Sequence, residues 1–193
     1  LYYNPNPNLS VLVYGSSFFM NTYDLIQDMT FSQARDWTAG TKVTYHVKDW
    51  FSVTGSLHAD FYDRFKRHER IDKRQKDYES SIYQPRLTVT SNYFNGRSLI
   101  LGMEHTSDEL TSDRFSGNAN HDLKTRALKE TEYFLQDEWT INPRWMISVG
   151  IRTNFSKAFG FMGMPKVAAK YSPDKHWSLR ANYSMGYRSP SIK

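Results

Sequence analysis

Strict alternation is the feature that most constrains what this chain can fold into. In WSLRANYSMGYR, Trp177, Leu179, Ala181, Tyr183, Met185 and Tyr187 alternate with Ser178, Arg180, Asn182, Ser184, Gly186 and Arg188 without an error. A period of two puts the two sets on opposite faces of a β-strand and is incompatible with a helix. Either a second protein sheet or the hydrocarbon of a membrane would select such a pattern.

The pattern recurs along the chain. Trp37 to Val47 alternates with Thr38 to Lys48, and Phe51 to Phe61 with Ser52 to Asp60. Tyr83, Leu87, Val89 and Tyr93 oppose Gln84, Arg86, Thr88 and Asn92, and Leu99, Leu101 and Met103 form the next face. Tyr133, Leu135 and Trp139 follow, then Trp145 to Phe155, then Val167, Ala169 and Tyr171, with Leu9 to Phe19 as a less regular first strand. The expectation is nine strands. Asp137 falls on the apolar parity and Pro85 lacks an N–H for the ladder, so each predicts a bulge or a strand end.

The connections separate the two environments. Lys48-Asp49, Asn95-Gly96, Asn142-Pro143 and Pro173-Asp174 read as tight turns. Between them, stretches near 20–35, 66–82, 111–128 and 156–164 read as long polar loops. Short and long connections alternate, which in an up-and-down meander places all tight turns at one end, as in an outer-membrane barrel. Strands of eleven or twelve residues fit the roughly 9–11 needed to cross a bilayer better than the about 5–6 usual in a soluble sheet. Trp50, Trp139, Trp145 and Trp177 all lie beside tight turns, as an interfacial belt requires. The fold class expected is therefore all-β, an antiparallel up-and-down meander forming a segment of a transmembrane β-barrel over 1–193.

Composition removes other classes. A mean hydropathy of -0.68 does not argue against a barrel, which shows lipid only every second residue. Aromatics form 16% of the chain, more than a small core needs. The absence of cysteine excludes a disulfide scaffold, a Cys-ligated zinc and a thiol nucleophile. No apolar run is long enough for a transmembrane helix, and Leu1 begins no charged n-region, so a leader is expected to be removed or to lie outside this piece. The net charge of +5 is uneven: nine Lys or Arg stand against Asp174 alone from Arg144 onward.

Two stretches, ETEYFLQDEW at 130–139 leading into WMISVGIRTNF, and PKVAAKYSPDKHWSLRANYSMGYRSPSIK from Pro165, resemble the TonB-dependent outer-membrane receptor family. The carriers are the QDEW-like strand end, the hairpin into a GxR strand, and Gly186-Tyr187-Arg188-Ser189-Pro190-Ser191. The resemblance implies a plugged barrel of about 22 strands in a Gram-negative outer membrane, active uptake of a ferric siderophore, haem or cobalamin, and energy from the TonB complex acting through a plug domain that this chain does not show. A non-transporting adhesin or structural barrel, or a soluble β-sandwich binding module, are the alternatives.

Candidate site residues follow from parity. Arg152, Lys166, Lys170, Arg180 and Arg188 share the polar face of three consecutive strands, where a basic wall could attract an anionic nutrient, pair with plug carboxylates or stay hydrated. His105 and His121 flank a loop with Glu104, Asp108, Glu109 and Asp113, which could hold a cation or a haem iron or be ordinary loop composition. Phe161 and Met162, within FGFMGM at 159–164, could touch a hydrophobic ligand or another loop. Lys66 to Asp77 reads as an extracellular loop that is solvated or lies near lipopolysaccharide phosphates, since it lacks the interleaved aromatics of a nucleic-acid patch. Histidine spacing matches no metal motif, no G-x-S-x-G turn occurs, and neither a catalytic centre nor a bound cofactor is expected. Membrane lipid, lipopolysaccharide, the TonB complex and a small nutrient are the expected partners, without nucleic acid.

Overall fold

The computed structural model describes residues 1–24, 30–68, 73–115 and 123–187. Ten strands form one sheet in chain order: β1 Tyr2–Asn6, β2 Leu9–Asp24, β3 Thr30–Lys48, β4 Phe51–His68, β5 Lys73–Phe94, β6 Arg97–Ser112, β7 Lys124–Asn142, β8 Trp145–Ser156, β9 Gly160–Tyr171 and β10 Leu179–Ser184. Every neighbouring pair is antiparallel. The nine expected strands are β2 to β10. The additional one, β1, reads YYNPN and carries no alternation, so periodicity passes over it. A single sheet among the described residues also removes the β-sandwich alternative.

The strands are longer than alternation indicates, reaching 22 residues in β5, or about 70 Å at ~3.3 Å per residue. Most of the stretches expected as polar loops are instead strand: β4 runs on to His68, β5 starts at Lys73, β6 ends at Ser112 and β7 starts at Lys124. The reason is physical. Beyond the apolar band both faces meet water, so alternation fades while the backbone ladder continues. At 156–164 no long loop exists, because β8 turns into β9 within three residues and Gly160 (φ 79°) closes the hairpin. The wall therefore has a step: β8 and β9, with 12 residues each, stand beside the taller β4 to β7.

Register keeps one parity on one face. Leu9, Tyr45, Val53, Val89, Leu101, Leu135, Ile151 and Pro165 form a continuous rung across eight strands. The rung starts beside the turn in β2 and lies well above the turn in β8, as tilted barrel strands demand. From Trp37 to Tyr183 every exposed large apolar side chain has an odd number, save Trp50 and Phe94 at turns and Met162. The buried groups sit on the other face: Ala34, Leu110, Ser112, Asn154 and Ser156 are even-numbered, and odd-numbered Asp77 reaches that face through a register slip. A flat sheet would expose both faces alike, so the even face is the concave, crowded one. It lines the lumen and the odd face looks outward.

Two turns place tryptophans by the same device. Asn142 Oδ1 accepts hydrogen bonds from the amides of Arg144 (2.9 Å) and Trp145 (3.0 Å), and Asp174 Oδ1 from those of His176 (2.7 Å) and Trp177 (3.0 Å). Each Asx side chain fixes the chain reversal and sets a Trp three residues on, Trp145 as the first residue of β8 and Trp177 two residues ahead of β10. A second aromatic belt closes the far side of the band, with Phe19 edge-on to Trp37 (5.4 Å) and Phe61 edge-on to Tyr83 (5.3 Å). From Trp37 to Val47, and from Phe51 to Phe61, the outward band matches the roughly 9–11 residues of a membrane-crossing strand.

Neither exception to alternation is a bulge. Register runs unbroken past Asp137 on both sides. Pro85 pairs with Leu57 in β4, while the ladder to β6 is interrupted at 84–85 without a shift, as the missing N–H requires.

Candidate functional site

The tall part of the lumen wall is organised around one extra residue. Register slips between Arg64 and Phe65, where Arg64 faces Tyr78 and Phe65 faces Lys76, leaving Asp77 as a bulge turned onto the concave face. Asp77 is almost fully covered. Its carboxylate accepts from Arg64 Nη2 (2.8 Å) and Nε (3.1 and 3.2 Å) and lies 3.2 Å from Lys66 Nζ. Its carbonyl accepts from Ser112 Oγ (3.3 Å), which ties β6 to the same point. This hydrogen-bonding holds the Arg64 guanidinium still more firmly charged than usual. Tyr62 and Tyr78 meet edge to face at 5.5 Å, and Arg64 lies over the Tyr78 ring at 5.4 Å. Burial, and next the nearby Asp108, push the Tyr78 phenol up, so it stays a neutral donor. Tyr62, Tyr78 and Arg64, with Asp36 and Asp60, border a cavity of about 500 Å³ beside and beyond the second aromatic belt.

Lower on the same face a charged row crosses four strands. Arg86 lies 3.5 Å from Glu104, Glu104 is the register partner of Glu132, and Glu132 pairs with Arg152. Asn154 Nδ2 donates to Glu132 at 3.4 Å. Phe134 lies flat across Gly102, and Arg86 covers its ring at 4.8 Å. A side chain at 102 would strike that ring and come within 2.6 Å of the Leu87 carbonyl, so only glycine allows the arrangement. Tyr14 lies over Gly40 in the same way and reaches His58 Nδ1 with its hydroxyl (3.0 Å). A cavity of about 330 Å³ beside the row is bordered by Arg86, Phe134, Arg152, Met164 and Lys166.

The sequence candidates separate on this frame. Arg152, Lys166, Lys170 and Arg180 all occupy even positions on the lumen face, and Lys170 and Arg180 are direct register partners. Arg152 is tied to Glu132, whereas Lys166, Lys170 and Arg180 have no carboxylate partner among the described residues. Arg188 and His121 lie outside the described residues. His105 is on the outward face, where Nδ1 hydrogen-bonds Thr131 Oγ1 (2.9 Å). Phe161 also looks outward and packs on Phe155 at 4.8 Å, so it belongs to the second belt, while its neighbour Met162 faces the lumen opposite Asn154. The sequence reading missed Tyr62, Arg64, Asp77 and Tyr78. Aromatics on the polar parity, among them Tyr14, Tyr62 and Phe134, were a signal that could have found the lumen sites.

Among the described residues no three His, Asp or Glu side chains are grouped to hold a metal ion. No helix among the described residues is long and apolar enough to cross a membrane, which says nothing of crossing by strands.

The family model described as TonB dependent receptor-like, beta-barrel, matches residues 1–193. An iron-regulated outer membrane virulence protein of Vibrio cholerae serotype O1, found in two strains, is 21% identical over 151 residues, which cover 77% of this chain and 21% of that protein. The crystal structure of the siderophore receptor PirA from Acinetobacter baumannii superposes with a TM-score of 0.75 at 11% identity, over 98% of this chain and 32% of that one. The second likeness is one of fold. The chain spans about a fifth of its curated relatives and a third of PirA.

Proposed function

Because the chain belongs to the TonB-dependent receptor-like β-barrel family, we propose that it supplies ten wall strands of an outer-membrane receptor importing a scarce nutrient. The leading ligand is a ferric siderophore, ahead of haem and cobalamin. The observation that carries this reading is the two-faced sheet, apolar and exposed outside, charged and crowded inside. Iron is favoured because the curated relatives are named as iron-regulated and the superposed structure as a siderophore receptor.

On this reading a ligand arriving from outside meets the tall wall first. Tyr62, Tyr78 and Arg64 offer phenol donors, ring faces and a guanidinium held in place by Asp77. Deeper, Lys166, Lys170 and Arg180 form a basic strip that stabilises anionic groups. Movement through the barrel requires a plug domain coupled to the TonB complex, and both are part of the proposal. So are the outer-leaflet contacts, in which lipopolysaccharide surrounds the extended strands. The wall residues bind and guide, with no catalytic step assigned to them.

Growth of a strain lacking the full-length gene, scored separately on ferric siderophore, haem and cobalamin as the limiting nutrient, tests the proposal. Loss of growth on the siderophore, restored by the intact gene and not by one carrying Arg64→Ala with Tyr78→Ala, is expected. Unchanged growth on all three overturns import and favours a non-transporting barrel.

A further inference from the structure

One cluster on the outward face is polar where its surroundings are apolar. Asp137 stands between Leu135 and Trp139 on the odd parity of β7, opposite Leu99 and Val149. Its Oδ2 accepts from Arg97 Nη2 at 2.7 Å and from the Tyr93 hydroxyl at 3.4 Å. The Arg97 guanidinium lies over the rings of Tyr93 (5.2 Å) and Trp139 (4.7 Å). Arg97 directly follows the Asn95-Gly96 turn and Trp139 precedes the Asn142 turn, so the cluster lies at the level of the tryptophan belt, where headgroups begin.

The polar atoms at the centre of the cluster are turned on one another. Arg97 Nε and Asp137 Oδ1 are enclosed within the cluster, and Asp137 also takes a hydrogen bond from the Trp139 indole. Both charged side chains nevertheless keep an open surface, 37% for Arg97 and 20% for Asp137. A guanidinium and a carboxylate left open beside hydrocarbon are costly unless something from the interface meets their exposed sides.

We propose that Arg97, Asp137, Tyr93 and Trp139 form a headgroup site for a zwitterionic amine phospholipid of the periplasmic leaflet. The phosphate oxygens accept from the Arg97 guanidinium and the lipid ammonium donates to Asp137. The charge pattern selects this class. Arg97 and Asp137 cancel to no net charge but present a fixed plus and minus side by side, which a phosphate and an ammonium on one short linker match. An anionic headgroup gains at Arg97 and loses at Asp137. The acyl chains then run along Leu99, Leu101, Leu135 and Val149, the outward residues above the pair. This site is independent of which nutrient the receptor carries and rests only on the outward face being the lipid face.

The test uses the full-length receptor equilibrated in nanodiscs containing equal phosphatidylethanolamine and phosphatidylglycerol with identical acyl chains, then released for native mass spectrometry. Wild type is expected to retain phosphatidylethanolamine about five-fold over phosphatidylglycerol, in line with one exposed ion pair. Arg97→Leu and Asp137→Asn are expected to erase the preference. Tyr93→Phe, which removes only a hydroxyl, keeps the question answerable should those variants fail to fold, and is expected to weaken the preference. Equal retention of the two lipids by wild type, or a preference that all the variants keep, overturns the site.

Discussion

Removing the Asp77 carboxylate isolates what the bulge contributes. In the wild type the group has 5% of its side chain exposed and holds Arg64, 26% exposed, through a forked contact, with the more open Lys66 as a second cation. Breaking a fully buried pair costs about 3–5 kcal/mol, and exposed pairs contribute about 0–1 kcal/mol. The half-open Arg64 places Asp77→Ala between these limits, near ~2 kcal/mol. The loss is local, because the bulge lies beyond the second aromatic belt while the membrane band is untouched. Hydrogen exchange should therefore quicken about 30-fold, the equivalent of 2 kcal/mol, at the amides of 62–66, 75–80 and 110–112. Amides of 39–45 and 87–91 should not change. Asp77→Asn keeps an acceptor and should lose less. In a double-mutant cycle with Arg64→Leu, the two changes together should cost clearly less than their sum. Additive effects, or equal acceleration in the membrane band, would refute the assignment of Asp77 as a local clamp on β4, β5 and β6.

Other perturbations test neighbouring parts of the argument. Leu101→Arg, on the outward rung, should cost about 2–4 kcal/mol of folding free energy in liposomes, whereas Thr88→Arg, on the lumen face of the adjacent strand, should change it little. Equal costs would mean that the faces are misassigned. Gly102→Val should evict the Phe134 ring and lower stability by about 1–3 kcal/mol, while Gly55→Ala, where an added Cβ meets nothing within 4 Å, should be close to neutral; differential unfolding in urea distinguishes them. Burial alone would lower the Lys76 pKa, but its bonds to Asp63 (2.7 Å) and Glu79 (2.8 Å) more than reverse that and raise it. The stabilisation is therefore present below the ordinary lysine value and lost as pH rises through the raised one. NMR of methylated lysines should show Lys76 titrating above the ordinary range, and Asp63→Asn with Glu79→Gln should bring it back.

Alternation reveals a strand only where its two sides meet different solvents. From Trp37 to Val47 one side meets hydrocarbon and the other a polar lumen, and each residue declares its face. From Tyr62 to Ser80 both sides are wet, so KRHERIDKRQKD and its flanks look like loop while β4 and β5 continue through most of them. For the same reason the Asp77 bulge and the cavity around Tyr62 and Tyr78 were not readable. Parity did place Arg152, Lys166, Lys170 and Arg180 on the lumen face, but not the pairing of Arg152 with Glu132, which depends on inter-strand register. His105 and Phe161 mark the opposite failure. His105 reads from sequence as the flank of a loop and Phe161 as part of a loop tip, although odd parity continues through both and puts them outside. Asp137 broke the pattern because its partner Arg97 comes from the neighbouring strand, a compensation that no reading of β7 by itself contains.

Burial decides which solvent the outward face meets, independently of family likeness. Among the described residues the only buried hydrophobic side chains are Ala34 and Leu110, whereas Leu101, Leu135, Val149, Ile151 and Val167 on adjacent strands are all largely exposed. Leaving such side chains in water forgoes about 1.5–3 kcal/mol each, and a single sheet with a charged concave face has no other apolar surface to offset that. Hydrocarbon reverses the balance on the odd face and leaves the even face, with its Arg86–Glu104 and Arg152–Glu132 pairs, in a wet lumen. The backbone agrees, since antiparallel ladders satisfy the peptide groups of the band from within the sheet, as a bilayer demands. The lipid placement also explains why tryptophans gather at the tight turns, and why the charged pair on the outward face is found at that belt instead of among Leu101, Leu135 and Ile151.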